Sequence, residues 1–267
     1  MLKKITNAIS PDSCNRSFAD STYEENIFDV ADRFRKSKTK GVIMNELKND
    51  LQKYFHTMAK RPIHKWSNYF DIYDTHLEAF RGAKVNLLEI GIYGGGSLQM
   101  WKWYFGQKAK IYGIDTDPAK LFEEVKIKTF QCDQGDRDQL KEVIGGMPTL
   151  DIVIDDGGHT MEQQIAAFEV IYPVMSSNGV YICEDTHTSF MEEYGGGAKS
   201  KRTFMAVIKK YIDQLSANHS REQVPMTDFT ASTNSMHFYN SMVVIERGIQ
   251  ELPAKLSARI KESNKEE

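Results

Sequence analysis

"VNLLEIGIYGGGSLQMWKWYF", Val85–Phe105, decides the fold. Its first part, Val85–Tyr93, is a short apolar run that reads as a strand, and Ser97–Phe105 reads as the helix that follows it. Between them stand Gly91, Gly94, Gly95 and Gly96, residues that turn a chain sharply and let a backbone come close to a ligand. Downstream the same alternation recurs. "KIYGIDTD" (110–117), "KIKTFQCD" (126–133), "LDIVIDD" (150–156) and "GVYICEDT" (179–186) are four further strands separated by helical patterns. Short apolar strands alternating with helices imply an α/β, Rossmann-like fold whose parallel sheet is covered by helices on both faces. "MHFYNSMVVIERG" (236–248) adds a β element near the C-terminus, which we expect to be antiparallel.

Upstream of residue 60 the character changes. "YEENIFDVADRFRKSKTKGVIMNELKNDLQKYFHTMAK" (23–60) sets apolar residues at helical spacing among many charges, and "RPIHKWSNYFDIYDTHLEAFRG" (61–82) reads as one more helical stretch. The expected organisation is a helical extension over 1–60, the α/β domain over 61–250 and a charged tail over 251–267. The extension would pack on the main domain or on a partner subunit, giving a homo-oligomer.

Composition narrows the function. A formal net charge of −3 over 267 residues gives no reason to expect a nucleic-acid binder. Three cysteines, Cys14, Cys132 and Cys183, lack metal-ligand spacing and are odd in number, so they read as reduced thiols. The first residues, "MLKKITNAISPDSC", have no sustained apolar stretch, and no run approaches the roughly 20 apolar residues of a membrane span. The expectation is a soluble, cytoplasmic protein.

In an open α/β sheet, ligands bind beyond the carboxyl ends of the strands. The first strand ends in Glu89, Gly91, Tyr93, Gly95 and Ser97, where the next helix offers its N-terminus. The second ends in Asp115, able to accept hydrogen bonds from both hydroxyls of a ribose. The third ends in "QCDQGD", which places Asp133 and Gln134 beside an adenine. The fourth ends in Asp155, Asp156, Gly157, Gly158 and His159, and the fifth in Glu184 and Asp185. No G-x-G-x-x-G dinucleotide fingerprint is present.

The series Glu89-x-Gly91, Asp115, Asp133 and Asp155 resembles the class I methyltransferases, which bind S-adenosylmethionine across the tips of such a sheet. The chain is closer to one branch, the metal-dependent sugar O-methyltransferases of macrolide biosynthesis and their bacterial relatives that modify glycans. "HKWSNYFDIYDTHLEAFRG", "LLEIGIYGGGSLQMW", "VIDDGGHT" and "EDTHTSF" carry the resemblance, with "HFYNSMVVIERG" as a fifth segment. They span roughly residues 60–250. The resemblance implies that Glu89, Gly91, Tyr93, Gly95, Ser97, Asp115, Asp133, Gln134 and Asp155 hold S-adenosylmethionine. It further implies that Asp156, Glu184 and Asp185 ligate Mg²⁺ or another hard divalent cation, and that His159 is the base acting on a small-molecule or glycan sugar acceptor. Carboxylate oxygens suit such a cation. Tyr93 is a departure, because the class often has glycine there.

Each of these residues also has a plainer reading. Asp155 and Asp156 suit the N-cap of the following helix. His159 would face solvent or bond to backbone, and Glu184 and Asp185 would be a polar strand end. His187 is the rival base. Trp101 and Trp103 read as helix packing, while Trp66 and Tyr69 either close over the cofactor or belong to the core. "SFMEEYGGGAKSKRTF" (189–204), with three consecutive glycines, reads as a lid over the acceptor or as a plain surface connection. Two other functions keep the same sheet: a dehydrogenase-like nucleotide enzyme, and a catalytically silent interaction module.

Overall fold

Strand β1 (Asn86–Ile90) is a central strand of an eight-stranded sheet, and its residues face alternate sides. The computed structural model describes residues 47–250 and residue 256. Leu87 joins an apolar cluster on one face, with Ile111, Ile152 and Ile182. Leu88 and Ile90 join the cluster on the other, with Ile114, Val153 and Tyr181. Both faces are covered, so the strands are apolar on both sides.

The first cluster lies under α1 (Asp50–Thr57), α2 (Tyr69–Leu77) and α3 (Gly96–Phe105), which contribute Leu51, Tyr73 and Trp101 among others. The expected 1–60 extension lies outside the described residues up to residue 46, but Leu51 and Tyr54 of α1 already belong to this core. The second cluster lies under α4 (Arg137–Gly145), α5 (Met161–Ile171), α6 (Phe204–Gln214) and α7 (Asp228–Ser232).

Strands β2 (Lys110–Asp115), β4 (Ile127–Gln131), β5 (Ile152–Asp155) and β6 (Val180–Cys183) join β1 as the parallel centre. A two-residue β3 (Glu123–Glu124) runs antiparallel at one edge. At the other edge, β8 (Met242–Arg247) pairs antiparallel with β6, and β7 (Thr233–Tyr239) pairs antiparallel with β8. The order is β3-β4-β2-β1-β5-β6-β8-β7. The chain winds outward from β1 to β4 and then returns to β5 on the opposite side of β1. The carboxyl ends of β1 and β5 therefore flank the point where the strand order reverses, the usual seat of a ligand.

The helical reading of 61–82 holds only in part. Helix α2 starts at Tyr69, and residues 62–66 have no regular structure. Pro62 disfavours helix in the residue before it. The segment instead crosses the glycine loop after β1: the Gly96 amide donates to the Pro62 carbonyl (3.2 Å), and a side chain at Gly94 or Gly96 would collide with Arg61, Pro62 or Ile63. These two glycines admit a neighbouring segment of the same chain.

Cys132 and Cys183 are buried free thiols. Cys14 and, apart from residue 256, the tail over 251–267 lie outside the described residues. Among those described, no helix is long and apolar enough to cross a membrane.

Candidate active site

A cleft of about 510 Å³ opens beyond the carboxyl ends of β1, β2, β5 and β6. Gly91 and Tyr93 line it from the loop after β1, Asp115 and Thr116 from the end of β2, and Cys132 and Gln134 from the turn after β4. Asp156 to His159 line it from the β5 turn, and Glu184 and Asp185 follow β6. His64, Lys65 and Trp66 close it from the segment ahead of α2.

Three of the seven described non-glycine residues with positive φ stand at this rim. Tyr93, His159 and Asp185 have φ of 46°, 57° and 51°, in the left-handed region that non-glycine residues seldom occupy. For Tyr93 this explains why glycine is common at that position.

Asp115 is well anchored. Its Oδ2 accepts from the Ile92 amide (2.9 Å) and its Oδ1 from the Asp117 amide (3.0 Å), with Lys120 Nζ at 3.6 Å. Gln134 is a strap: its Nε2 donates to Asp155 Oδ1 (2.8 Å) while its Oε1 accepts from the Gly158 amide (3.0 Å). Asp155 points into the second apolar cluster, where Tyr181 donates to its other oxygen (3.2 Å). Burial pushes its carboxyl up to about 7, against the hydrogen bonds from Gln134 and Tyr181 and with help from the Asp156 charge.

Asp156 faces the opposite way, as strand alternation dictates. The plain reading of Asp155 and Asp156 as helix caps does not apply, because Thr160 caps α5, in a reciprocal box with Gln163. Asp156, His159 and Asp185 converge: each offers a ligand atom, and these atoms lie within 4.8 Å of one another. His159 Nε2 stands 3.8 Å from Asp156 Oδ1 and 3.6 Å from Asp185 Oδ2. Its buried Nδ1 has no hydrogen-bond partner among the described residues. His187, the rival base, bonds Ser241 Oγ through Nδ1, lies 4.0 Å from Asp185 Oδ1, and sets its ring edge-on to Trp66.

The nine expected cofactor residues divide. Gly91, Tyr93, Asp115 and Gln134 line the cleft. Glu89 is fully buried behind it, with one carboxylate oxygen on Ser97 Oγ (2.6 Å) and the other on Lys65 Nζ (3.1 Å), so Glu89 and Ser97 satisfy each other. Gly95 faces Phe122, and Asp133 is exposed, holding the Gly135 amide. Asp155 lies beneath the floor. The strand pattern places these residues at the strand ends and the turns after them, but it does not reveal which are paired inside the fold.

Sequence reasoning assigned no role to Lys65. Its side chain is 1% exposed, and its ammonium reaches Asp156 Oδ2 (2.7 Å) and Glu184 Oε1 (2.9 Å) as well as Glu89. Tyr73 also donates to Glu184 Oε1, and Tyr69 donates to Asp185 Oδ1 (2.6 Å). Burial pushes both phenols well up, so they keep their protons and remain donors. The spacing of 65, 69 and 73 was a signal on the page, but three of the partners come from strands far along the chain. Of the aromatic candidates, Trp101 is core, Trp103 is partly exposed against Tyr54, Tyr69 is fully buried, and Trp66 is half exposed at the cleft.

The strand order, the cleft at its reversal and the acidic residues around that cleft define the class I methyltransferase fold. The MycE methyltransferase from the mycinamycin biosynthetic pathway, in complex with Mg and SAH, superposes with a TM-score of 0.66 at 29% identity, covering 74% of this chain and 54% of that one. Its complex with Mg, SAH and mycinamycin VI gives 0.63 at 25% identity, over 79% and 66%.

The chain's homologues in sequence are O-methyltransferases of natural-product biosynthesis, as the motifs implied. It is 33% identical over 195 residues to the 8-demethyl-8-(2-methoxy-alpha-L-rhamnosyl)-tetracenomycin-C 3'-O-methyltransferase of Streptomyces olivaceus, covering 68% of this chain and 50% of the relative. It is also 33% identical over 189 residues to the demethylmacrocin O-methyltransferase of Streptomyces fradiae, covering 66% and 48%. The chain thus spans about half the length of the curated relatives it matches. No protein-family model matches it.

Proposed function

We propose that this protein is an S-adenosylmethionine-dependent, divalent-metal-dependent O-methyltransferase that methylates a sugar hydroxyl of a glycosylated natural product or a surface glycan precursor. The observation that carries this reading is the convergence of Asp156, His159 and Asp185 at the same cleft that Asp115 and Gln134 line. The similarity to a methyltransferase solved with Mg and SAH supports it.

The donor set fits a hard cation: carboxylates of Asp156 and Asp185, with Glu184 behind them, and no thiolate. A divalent ion held there would act as a Lewis acid, lowering the pKa of acceptor hydroxyls. Bound S-adenosylmethionine would supply an electrophilic methyl group. Asp115 would accept from the ribose hydroxyls, and Gly91 and Gln134 would wall the remainder of the cofactor.

An acceptor hydroxyl held in line with that methyl group would displace it from sulfur, which would keep the bonding electron pair. His159 Nε2, which the two carboxylates flank, would take the hydroxyl proton. The rest of the task is alignment of oxygen, carbon and sulfur. We also read the 189–204 loop as the acceptor's lid, the compartment as the cytoplasm and the assembly as a homo-oligomer. A dehydrogenase-like function is disfavoured by the missing dinucleotide loop, and a silent module by the full set of acidic and histidine positions.

Calorimetric titration of S-adenosylmethionine and of NAD, with and without Mg²⁺, tests the cofactor, and a screen of rhamnosylated acceptors tests the substrate. S-adenosylmethionine should bind and NAD should not. Binding of NAD alone would overturn the proposal.

A further inference from the structure

Lys65, Tyr69 and Tyr73 recur every four residues and reach the back of the same acidic cluster. Tyr69 and Tyr73 stand one turn apart on α2, and Lys65 precedes the helix. Each expected cation ligand is thereby divided. Asp156 gives Oδ2 to Lys65 and presents Oδ1 toward His159. Asp185 gives Oδ1 to Tyr69 and presents Oδ2 toward His159. Glu184 gives Oε1 to both Lys65 and Tyr73, leaving Oε2 without a hydrogen bond among the described residues, while the residue itself lines the cleft.

We propose that Lys65, Tyr69 and Tyr73 form a positioning row that fixes the orientation of Asp156, Glu184 and Asp185 for a divalent cation. This inference rests on the metal reading of that site. A carboxylate bound to nothing behind it rotates about its last bond, and its oxygens lose their common focus. A donor on one oxygen removes that freedom and leaves the other free for the ion. Lys65 has a second part in the arrangement. Glu89, Asp156, Glu184 and Asp185 are four carboxyl groups within one neighbourhood, and the Lys65 ammonium contacts three of them. It lowers their mutual repulsion while leaving a negative surplus facing the cleft. A buried ammonium is itself tolerated only because those partners surround it.

The row does not touch the cofactor side of the cleft formed by Asp115 and Gln134. Its loss should therefore weaken the cation and spare S-adenosylmethionine.

The test is Mn²⁺ binding, followed by electron paramagnetic resonance, to wild-type protein and to the Tyr69→Phe, Tyr73→Phe and Lys65→Met variants. S-adenosylmethionine affinity and thermal unfolding are measured on the same samples. Each phenylalanine variant should bind Mn²⁺ roughly 10- to 100-fold more weakly. The spectrum of the bound ion should change, while S-adenosylmethionine affinity stays within about twofold. Mn²⁺ affinity and spectrum unchanged in both folded phenylalanine variants would overturn the positioning role even if Lys65→Met failed to fold. Wild-type protein that binds no Mn²⁺ would instead remove the metal reading and this inference with it, so the two failures are distinct.

Discussion

Gly91, at the end of β1, lies directly against the backbone of Asp156, at the end of β5. Its φ is +90°, and a methyl group added to it would overlap the Asp156 carbonyl. The Asp156 amide in turn donates to the Ile90 carbonyl (3.0 Å). The reversal point of the sheet is thus closed by backbone packed on backbone, and the main chain that carries the proposed ligand Asp156 is fixed by a glycine of the loop after β1.

Gly91→Ala tests this relationship. Alanine must adopt a left-handed conformation and push β5 away, so we expect a loss of about 1–3 kcal/mol from the strained backbone, with the overlap adding to it. For a domain of this size, that lowers the melting temperature by roughly 2–4 °C per kcal/mol. Calorimetry would measure it. A melting temperature equal to wild type would mean that the two strand ends are free to separate.

Gln134 makes a second, polar closure of the same turn. Gln134→Leu keeps the approximate volume but leaves the buried Asp155 oxygen without its Gln134 donor, while the amide of the exposed Gly158 turns to water. The expected cost is about 1–3 kcal/mol, the penalty for an unsatisfied buried group. Urea unfolding of the variant would measure it. A variant as stable as wild type would show that water replaces the strap at no cost.

Glu246 gives a pH signature away from the cleft. Its Oε1 pairs with His76 Nδ1 (2.7 Å), and its Oε2 accepts from Ser235 (2.7 Å) and lies 3.6 Å from His237 Nε2. Tyr239 meets the other nitrogen of His76 (2.8 Å). Burial acts to raise its pKa, but the hydrogen bonds from Ser235 and His76 and the charges of His76 and His237 outweigh it and hold the carboxyl below the ordinary range. A depressed pKa stabilises the folded state above the unfolded value of about 4.3, and that stabilisation disappears as pH falls through the folded value. Glu246→Gln should therefore be less stable than wild type at pH 7, and the gap should close as the pH is taken below about 4. A gap that persists unchanged in acid would assign the loss to shape alone.

The strands, their parallel arrangement and the strand ends that form the candidate rim were legible because short apolar runs, the helical patterns between them and glycine turns are local properties of the chain. What could not be read was pairing in space. Glu89 and Ser97 look like cofactor contacts in a strand–turn–helix motif, yet they satisfy each other beneath the cleft. Gly94 and Gly96 look like a ligand cradle but accommodate residues 61–63. Lys65 looks like a surface charge, and three carboxylates from three different strand ends make it one of the most buried groups in the protein. The first is a contact across a single turn and the other two depend on partners tens of residues away, and periodicity encodes neither.

The choice of base is the sharpest kinetic prediction. His159 Nε2 lies between Asp156 and Asp185 on the cleft wall, whereas His187 is bonded to Ser241 and packed against Trp66. Removal of a general base typically lowers the chemical rate by about 10²- to 10⁴-fold. His159→Ala should therefore lose that much in kcat on a sugar acceptor while retaining S-adenosylmethionine binding. His187→Ala, which loses contacts with Trp66 and Ser241, should act mainly on acceptor KM. Single-turnover methyl transfer for the two variants distinguishes them, because it isolates the chemical step from product release. The reverse pattern, with kcat collapsing only in His187→Ala, would move the base to the turn after β6 and leave His159 to hold the cation with Asp156 and Asp185.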